Sequence, residues 1–359
     1  MKKLTAFLLI VLLLLTGCTI HLPAVPPTNP ASPTSTGTAT QTTAPEDANT
    51  LEVHFIDVGQ ADCALLRNGE HNMLIDGGNV EDSSLVVSYL LNLGIASLDC
   101  VVATHAHEDH AGALAGILAV FPVETVYVTT TTYASTCYDD FMNYVDQQDI
   151  TPNIPTPGDR YMLGEAEVTF LGPVKSYAET NDTSLVCRVD YGEVSFLFTG
   201  DMETPAEGDM LDAGANVKAT VLKVGHHGSS SSTGYRFLYE VDPQYAVISC
   251  GEGNSYGHPE DEVLSRLQDA GVTTYRTDLS GTVVATTDGE TITFSTGNPV
   301  LPEFGNTPEE SETFIGNKNS LKFHTEDCKS LPKAENRVIF DSYEAAVEAG
   351  YSPCGNCVG

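Results

Sequence analysis

Within the seven residues Thr104-His105-Ala106-His107-Glu108-Asp109-His110 stand three histidines and two carboxylates. Neutral imidazole is the usual nitrogen donor to zinc, and carboxylates supply oxygen ligation. The cluster follows directly on the apolar stretch Cys100 to Ala103, where a chain turns out of a sheet edge. So many ligand-capable side chains in one short loop cannot all enter a core. In an extended loop His105 and His107 project together, which leaves Asp109 and His110 to reach a second ion. Asp109 has two open roles, as an oxygen ligand or as a base toward water on the metal. A polar surface loop at a helix N-cap would explain a single histidine, not this spacing.

Three further strand ends carry chemistry. Val194 to Phe198 ends in Thr199-Gly200-Asp201, where a glycine turn sets Asp201 to bridge two metals. The run Leu222-Lys223-Val224-Gly225-His226-His227-Gly228-Ser229-Ser230 ends another apolar strand in paired histidines. One imidazole is expected to ligate, while the other, or Ser229 and Ser230, meets a substrate oxygen. The third is Tyr256-Gly257-His258-Pro259, where His258 is a ligand, a phosphate-facing group or a support behind one.

These motifs need strands to end beside one another. Short strand candidates run through Leu51 to Asp57, Ala61 to Arg67 and Asn72 to Ile75, with Asn68-Gly69 as a favoured hairpin turn. Others follow at Leu98 to Ala103, Thr125 to Val128, Glu167 to Leu171, Ser184 to Val189, Val194 to Phe198, Ala219 to Val224, Ala246 to Ser249 and Val272 to Tyr275, with a closing pair at Thr282 to Ala285 and Thr291 to Phe294. Helical stretches are expected at Ser83 to Leu93, Ala111 to Val120, Thr233 to Glu240 and Pro259 to Ala270. Many strands with intermittent helices imply a layered α/β body with helices over the sheet faces. Cys63, Cys100, Cys137, Cys187 and Cys250 lie in or near apolar strands and read as buried thiols.

In these motifs the body resembles the metallo-β-lactamase-fold hydrolases, and among them the soluble hydrolase domain of the ComEC/Rec2 competence-protein family. The residues that carry the likeness are Phe55 to Asp62, Ile75-Asp76-Gly77-Gly78, Thr104 to Gly112, Thr199-Gly200-Asp201, Leu222 to Ser230, Asn254 to Pro259 and Tyr275 to Asp278. The resemblance implies an αββα sandwich with two metal ions between the tops of its sheets. It implies His105, His107, Asp109, His110, Asp201 and His226 as their ligands, with His227, His258 or Ser229 facing the charge that develops on the substrate. One departure stands out: Glu179 to Ser184 holds no histidine where the wider superfamily often has one. Asn181 or Asp182 is the expected stand-in, and a more oxygen-rich site makes manganese credible beside zinc.

The resemblance implies a phosphodiesterase or nuclease acting on DNA, nucleotides or another phosphodiester. A β-lactam or ester hydrolase on the same metal centre stays open, as does a non-catalytic surface lipoprotein that binds DNA or a wall polymer. The chain of 359 residues has 16 basic against 49 acidic residues, a formal charge of −33. That balance excludes a generic nucleic-acid coat, because nonspecific backbone binding needs lysine and arginine to release counterions. It also favours a short nucleotide or a nucleic-acid end over a long duplex.

The flanks have other jobs. Residues 1–17 read as an export signal, and Leu15-Thr16-Gly17-Cys18 resembles a bacterial lipoprotein signal cleaved before an acylated Cys18. Residues 18–50 form a Pro/Thr-rich spacer, 51–297 the hydrolase domain and 298–311 a linker. The expected place is outside the cytoplasm, held to the bacterial membrane through this lipid alone, with no obligate protein partner. Residues 312–359 carry His324, Cys328, Cys354 and Cys357, the spacing of one structural zinc in a segment too short for a large core. A disulfide between Cys354 and Cys357 is the alternative. The segment resembles the Ada metal-binding module, with His324 replacing the first of its four cysteines, so methyl transfer is not carried over. Lys318, Lys322, Lys329, Lys333 and Arg337 are candidates for phosphate contact or merely for solubility.

Overall fold

The computed structural model describes residues 50–297, 313–325, 328, 331–333, 336–340, 345–346, 349 and 351–354. Cys18 and Cys357 therefore lie outside the described residues. The chain first lays down β1 (Leu51–Phe55), β2 (Ala64–Asn68), β3 (His71–Ile75), β4 (Leu98–Val102) and β5 (Val123–Tyr127). Helices α1 (Ser83–Asn92), α2 (Glu108–Ala111), α3 (Leu114–Leu118) and α4 (Thr136–Gln147) accompany them. A second set follows, with β6 (Arg160–Leu163), β7 (Ala166–Gly172), β8 (Val186–Tyr191), β9 (Val194–Phe198), β10 (Val221–Lys223), β11 (Tyr245–Ile248) and β12 (Thr273–Arg276). Its helices are α5 (Thr204–Asp212), α6 (Tyr235–Val241), α7 (Asp261–Asp269) and α8 (Thr277–Ser280). The chain then returns as β13 (Val283–Thr287) and β14 (Ile292–Thr296).

Two seven-stranded mixed sheets result, ordered β14-β13-β1-β2-β3-β4-β5 and β12-β11-β10-β9-β8-β7-β6. Side chains alternate across a strand, so a strand apolar at nearly every position must be covered on both faces. Leu66, Met73, Cys100 and Val102 face Phe170, Cys187, Phe196 and Phe198 between the sheets. Their neighbours Leu65, Leu74 and Val101 pack outward on Val86 and Leu90 of α1, Ile117 of α3 and Phe141 of α4. On the second sheet Leu197, Leu222 and Ile248 pack on Met210, Phe237, Val241, Val263 and Leu267 from α5, α6 and α7. This is an αββα sandwich. The five cysteines of the body are free and buried.

Several details differ from the sequence reading. The helix expected over Ala111 to Val120 divides into α2 and α3 around Gly112. A Cβ at Gly112 would lie 2.4 Å from the Glu108 carbonyl oxygen and 2.6 Å from the Val80 nitrogen, so backbone crowds this position. Helices α4, α5 and α8 and strand β6 are outside the sequence expectation, although Tyr138, Phe141 and Val145 recur at helical spacing and Pro205 occupies a helix-opening position.

Beyond the body, β15 (Phe314–Asn317), β16 (Lys322–Thr325), β17 (Arg337–Phe340) and β18 (Ser352–Pro353) form a small sheet in the order β17-β15-β16-β18. Phe314 and Phe323 pack edge to face at 5.4 Å as its core.

Candidate metal centre

Parallel pairing runs β3-β4-β5 in the first sheet and β9-β10-β11-β12 in the second. Parallel strands present their carboxyl ends together, and ligands of open α/β sheets bind in the crevice outside those ends. Asp76 follows β3, His105 to His110 follow β4, Asp201 follows β9, and His226 and His227 follow β10. Motifs far apart in sequence thereby meet.

One donor atom each from Asp109, His110, Asp201 and His227 lie within 4.8 Å of one another. Asp201 is the hub: His110 Nε2 is 3.1 Å from its Oδ1, and His227 Nε2 and His226 Nε2 are each 3.7 Å from its Oδ2. His105 Nε2 stands 4.0 Å from the same Oδ2 and 3.1 Å from His107 Nδ1. His227 Nε2 also lies 3.3 Å from Asp109 Oδ2. Asp201, His110 and His227 are almost wholly buried, yet Asp201 Oδ1, His110 Nε2 and His227 Nε2 have no hydrogen-bond partner. Buried polar atoms are rarely left so, and donors that converge without bonding one another fit a cation. Imidazole nitrogens with carboxylate oxygens suit zinc or manganese.

Charges at the site are tightly balanced. Burial opposes charge on His110 and His227, but Asp201, with Asp76 at His110 and Asp62 at His227, outweighs it. His110 is held well above the usual imidazole range and His227 is raised to about 10. Burial, reinforced by His110, pushes His105 well below that range. Burial would raise Asp201, yet His110 and His227 hold it well below the usual carboxylate range. Asp109 is likewise lowered to about 2 against its burial, chiefly by the His227 imidazole whose Nε2 lies 3.3 Å from its Oδ2.

A layer beneath fixes these rings. Asp76 accepts hydrogen bonds from Thr104 N and Oγ1, both at 2.7 Å, and lies 2.8 Å from His110 Nδ1. Ser184 Oγ accepts from Asp201 N at 3.0 Å and donates to the Asn181 carbonyl at 2.7 Å. Gly200 has φ +51°, and a Cβ there would come 2.8 Å from Ser184 Oγ. Lys223, buried at the end of β10, forms a 2.7 Å ion pair with Asp62, which stands 3.5 Å from His227 Nδ1. Sequence reasoning gave Asp62, Asp76 and Lys223 no role. The readable signal was Lys223, a charge in an otherwise apolar strand.

The cleft above has a volume of about 310 Å³ and is lined by His107, Asp109, Asn181, Asp201, His227 and His258 among others. Of the two candidate stand-ins, Asn181 reaches it. Its Nδ2 donates to Glu203 Oε1 at 3.2 Å, while its buried Oδ1 has no partner. Asp182 turns away, its Oδ1 accepting from Glu203 N at 3.0 Å. Both adjacent histidines line the cleft. His227 falls in the tight donor group, while His226, its Nε2 equally 3.7 Å from Asp201 Oδ2, has its Nδ1 3.2 Å from Ser231 Oγ. Both have left-handed backbones, φ 51° and 53°, so side-chain direction there follows no strand or helix period. Ser229 is buried, bonded to Ser231 Oγ at 3.0 Å and absent from the cleft lining.

Residues 56–252 match the family described as the metallo-beta-lactamase superfamily. The chain belongs to that superfamily. With its buried donor cluster, this metallo-beta-lactamase scaffold supports a metal-dependent hydrolase. ComE operon protein 3 of Bacillus subtilis is 31% identical over 252 residues, 65% of this chain and 32% of that protein. Competence protein ComA of Neisseria gonorrhoeae is 31% identical over 236 residues, with the same shares covered. The chain thus spans about a third of the length of these relatives. The solved metallo-beta-lactamase fold protein YhfI of Bacillus subtilis aligns with TM-score 0.44 and 14% identity, over 63% of this chain and 95% of that one.

Residues 306–358 match the metal binding domain of Ada. His324 on β16, Cys328 just beyond it and Cys354 just after β18 are buried, with donor atoms within 4.8 Å of one another. The parallel β16–β18 pairing brings Cys354 to the other two. Burial, then Lys322, lowers the His324 pKa and favours the neutral, metal-ligating imidazole.

Proposed function

We propose that the chain is a metal-dependent phosphodiesterase or nuclease. The observation that carries the reading is Asp201, a buried cleft-lining carboxylate with His110, His226, His227 and His105 nitrogens 3.1 to 4.0 Å from its oxygens. A metal pair held there supplies a polarised water nucleophile and a positive clamp on a phosphoryl oxygen. His105, His107 and the Asn181 amide oxygen would hold one ion, Asp109, His110 and His227 the other, with Asp201 shared. The remaining groups are the chain's own: Asp109 orients the attacking water, while His226 and His258 on the cleft wall present imidazoles to the departing oxygen. Similarity to competence proteins favours a phosphodiester over a β-lactam, since the same site chemistry attacks either a phosphoryl or a carbonyl centre. The expected result is hydrolysis of bis(p-nitrophenyl) phosphate by the zinc- or manganese-loaded chain lacking Cys18. Hydrolysis of a chromogenic β-lactam without any diester turnover would replace the reading, and full metal loading with no turnover of either would leave a binding protein.

We further propose that Cys18 anchors the protein outside the cytoplasm, and that Cys357 completes a structural zinc site with His324, Cys328 and Cys354. Cys18→Ser is expected to end palmitate incorporation and move the protein from the membrane to the soluble fraction. Continued labelling of that variant would refute the anchor.

A further inference from the structure

The lining of the cleft includes an aromatic step. Tyr256 is 72% exposed and its ring stacks on His258 at 5.8 Å with a 27° tilt, and His258 meets His226 edge to face at 5.6 Å. This step is built, not loose. Asn254 Oδ1 accepts from both Tyr256 N and His258 N at 3.1 Å, and Asn254 Nδ2 donates to the Gly251 carbonyl at 3.0 Å. Gly251 N in turn donates to Gln60 Oε1 at 3.0 Å, tying the loop to the β1–β2 connection across the cleft mouth. A loop laced this way holds a large aromatic side chain in water with one ring face against His258 and the other uncovered.

The charges around the cleft sharpen the question of what covers that face. Glu108, Asp109 and Asp201 are among the lining residues, and none of the lining residues is lysine or arginine. Recognition of nucleic acid through its backbone needs such cations. Beyond the metal-held phosphate, a polyanion gains nothing here from the protein's charge and is repelled by Glu108. Stacking on an aromatic ring does not depend on charge and accepts any base, because every base has a π-face. Bases inside a duplex already use both faces. An unpaired base does not.

We propose that Tyr256 is a base-stacking subsite that takes one unpaired nucleobase flanking the phosphodiester, so that the preferred substrates are single-stranded or short nucleotide diesters. This rests on the phosphodiesterase reading of the same cleft and names its substrate class. Tyr256 determines specificity without entering the chemistry.

The test uses the full chain loaded with zinc or manganese and two probes, hexathymidylate and the same backbone with tetrahydrofuran in place of every nucleoside. Binding is read by fluorescence anisotropy on labelled phosphorothioate versions, and turnover on the natural diesters. Tyr256→Ala is expected to weaken binding and raise KM for hexathymidylate by about 5- to 150-fold, with kcat and the abasic probe changed less than about twofold. Tyr256→Phe, which keeps the ring, is expected to stay within about twofold of the parent on both probes. Equal losses on both probes, or no loss on hexathymidylate, would overturn the subsite. If the parent binds hexathymidylate through Tyr256 but hydrolyses neither probe, the phosphodiesterase reading fails and the stacking subsite stands. If it hydrolyses both with no dependence on Tyr256, the reverse holds.

Discussion

Replacing Asp201 by Ala is expected to strip metal from the hydrolase body and lower kcat by about 10³-fold or more. Its carboxylate is the group shared by the imidazoles of His105, His110, His226 and His227, at 3.1 to 4.0 Å. Without it Asp109 is the one carboxylate left in the donor group, and a cation brought among the histidines loses its central oxygen donor. Metal content by mass spectrometry and turnover of bis(p-nitrophenyl) phosphate are the measurements. The companion variants separate the paired histidines: His227→Ala is expected to lose metal as Asp201→Ala does, and His226→Ala to keep full loading. Glu108→Ala, an exposed neighbour, serves as control. Full metal content in Asp201→Ala, or metal loss in His226→Ala with retention in His227→Ala, would refute the arrangement.

Lys223→Met is expected to destabilise the body by about 3–5 kcal/mol, because it leaves the buried Asp62 without its cation. Lys223 Nζ lies 2.7 Å from Asp62 Oδ2 and also donates to the Val224 carbonyl at 2.9 Å. Burial alone would raise the Asp62 carboxyl, yet Lys223 and then His227 hold it well below the usual carboxylate range, so the carboxylate is charged in the folded protein. Removing Lys223 strands that charge under the metal centre, 3.5 Å from His227 Nδ1. The double variant Asp62→Asn with Lys223→Met removes both charges and is expected to recover most of the loss, so the pair is non-additive. Urea unfolding of the metal-free chain measures these two variants and Asp62→Asn alone. Additive losses would show that Lys223 acts only by filling space.

Legibility followed periodicity. Strands buried on both faces, such as Cys100 to Val102 and Phe196 to Phe198, read as continuous apolar runs, and that pattern admits few folds other than a layered one. The Thr104 to His110 cluster was equally plain, because local density of donors is a property of sequence alone. Helix α4 was harder to see, since Thr, Cys, Tyr and Asp are weak helix formers and tertiary packing of Tyr138, Phe141 and Val145 decides the matter.

By itself, then, the order of residues determined the donor types, the strand ends that carry them and a layered α/β body, with the αββα sandwich implied by resemblance. Only the folded chain decided that His226 and His227 both turn into the cleft, that Asn181 and not Asp182 reaches it, and that Lys223 meets Asp62. Repeating periods let sequence state which way a side chain points. Left-handed turns such as Gly225 to Gly228 break the period, and contacts between residues distant in sequence have none.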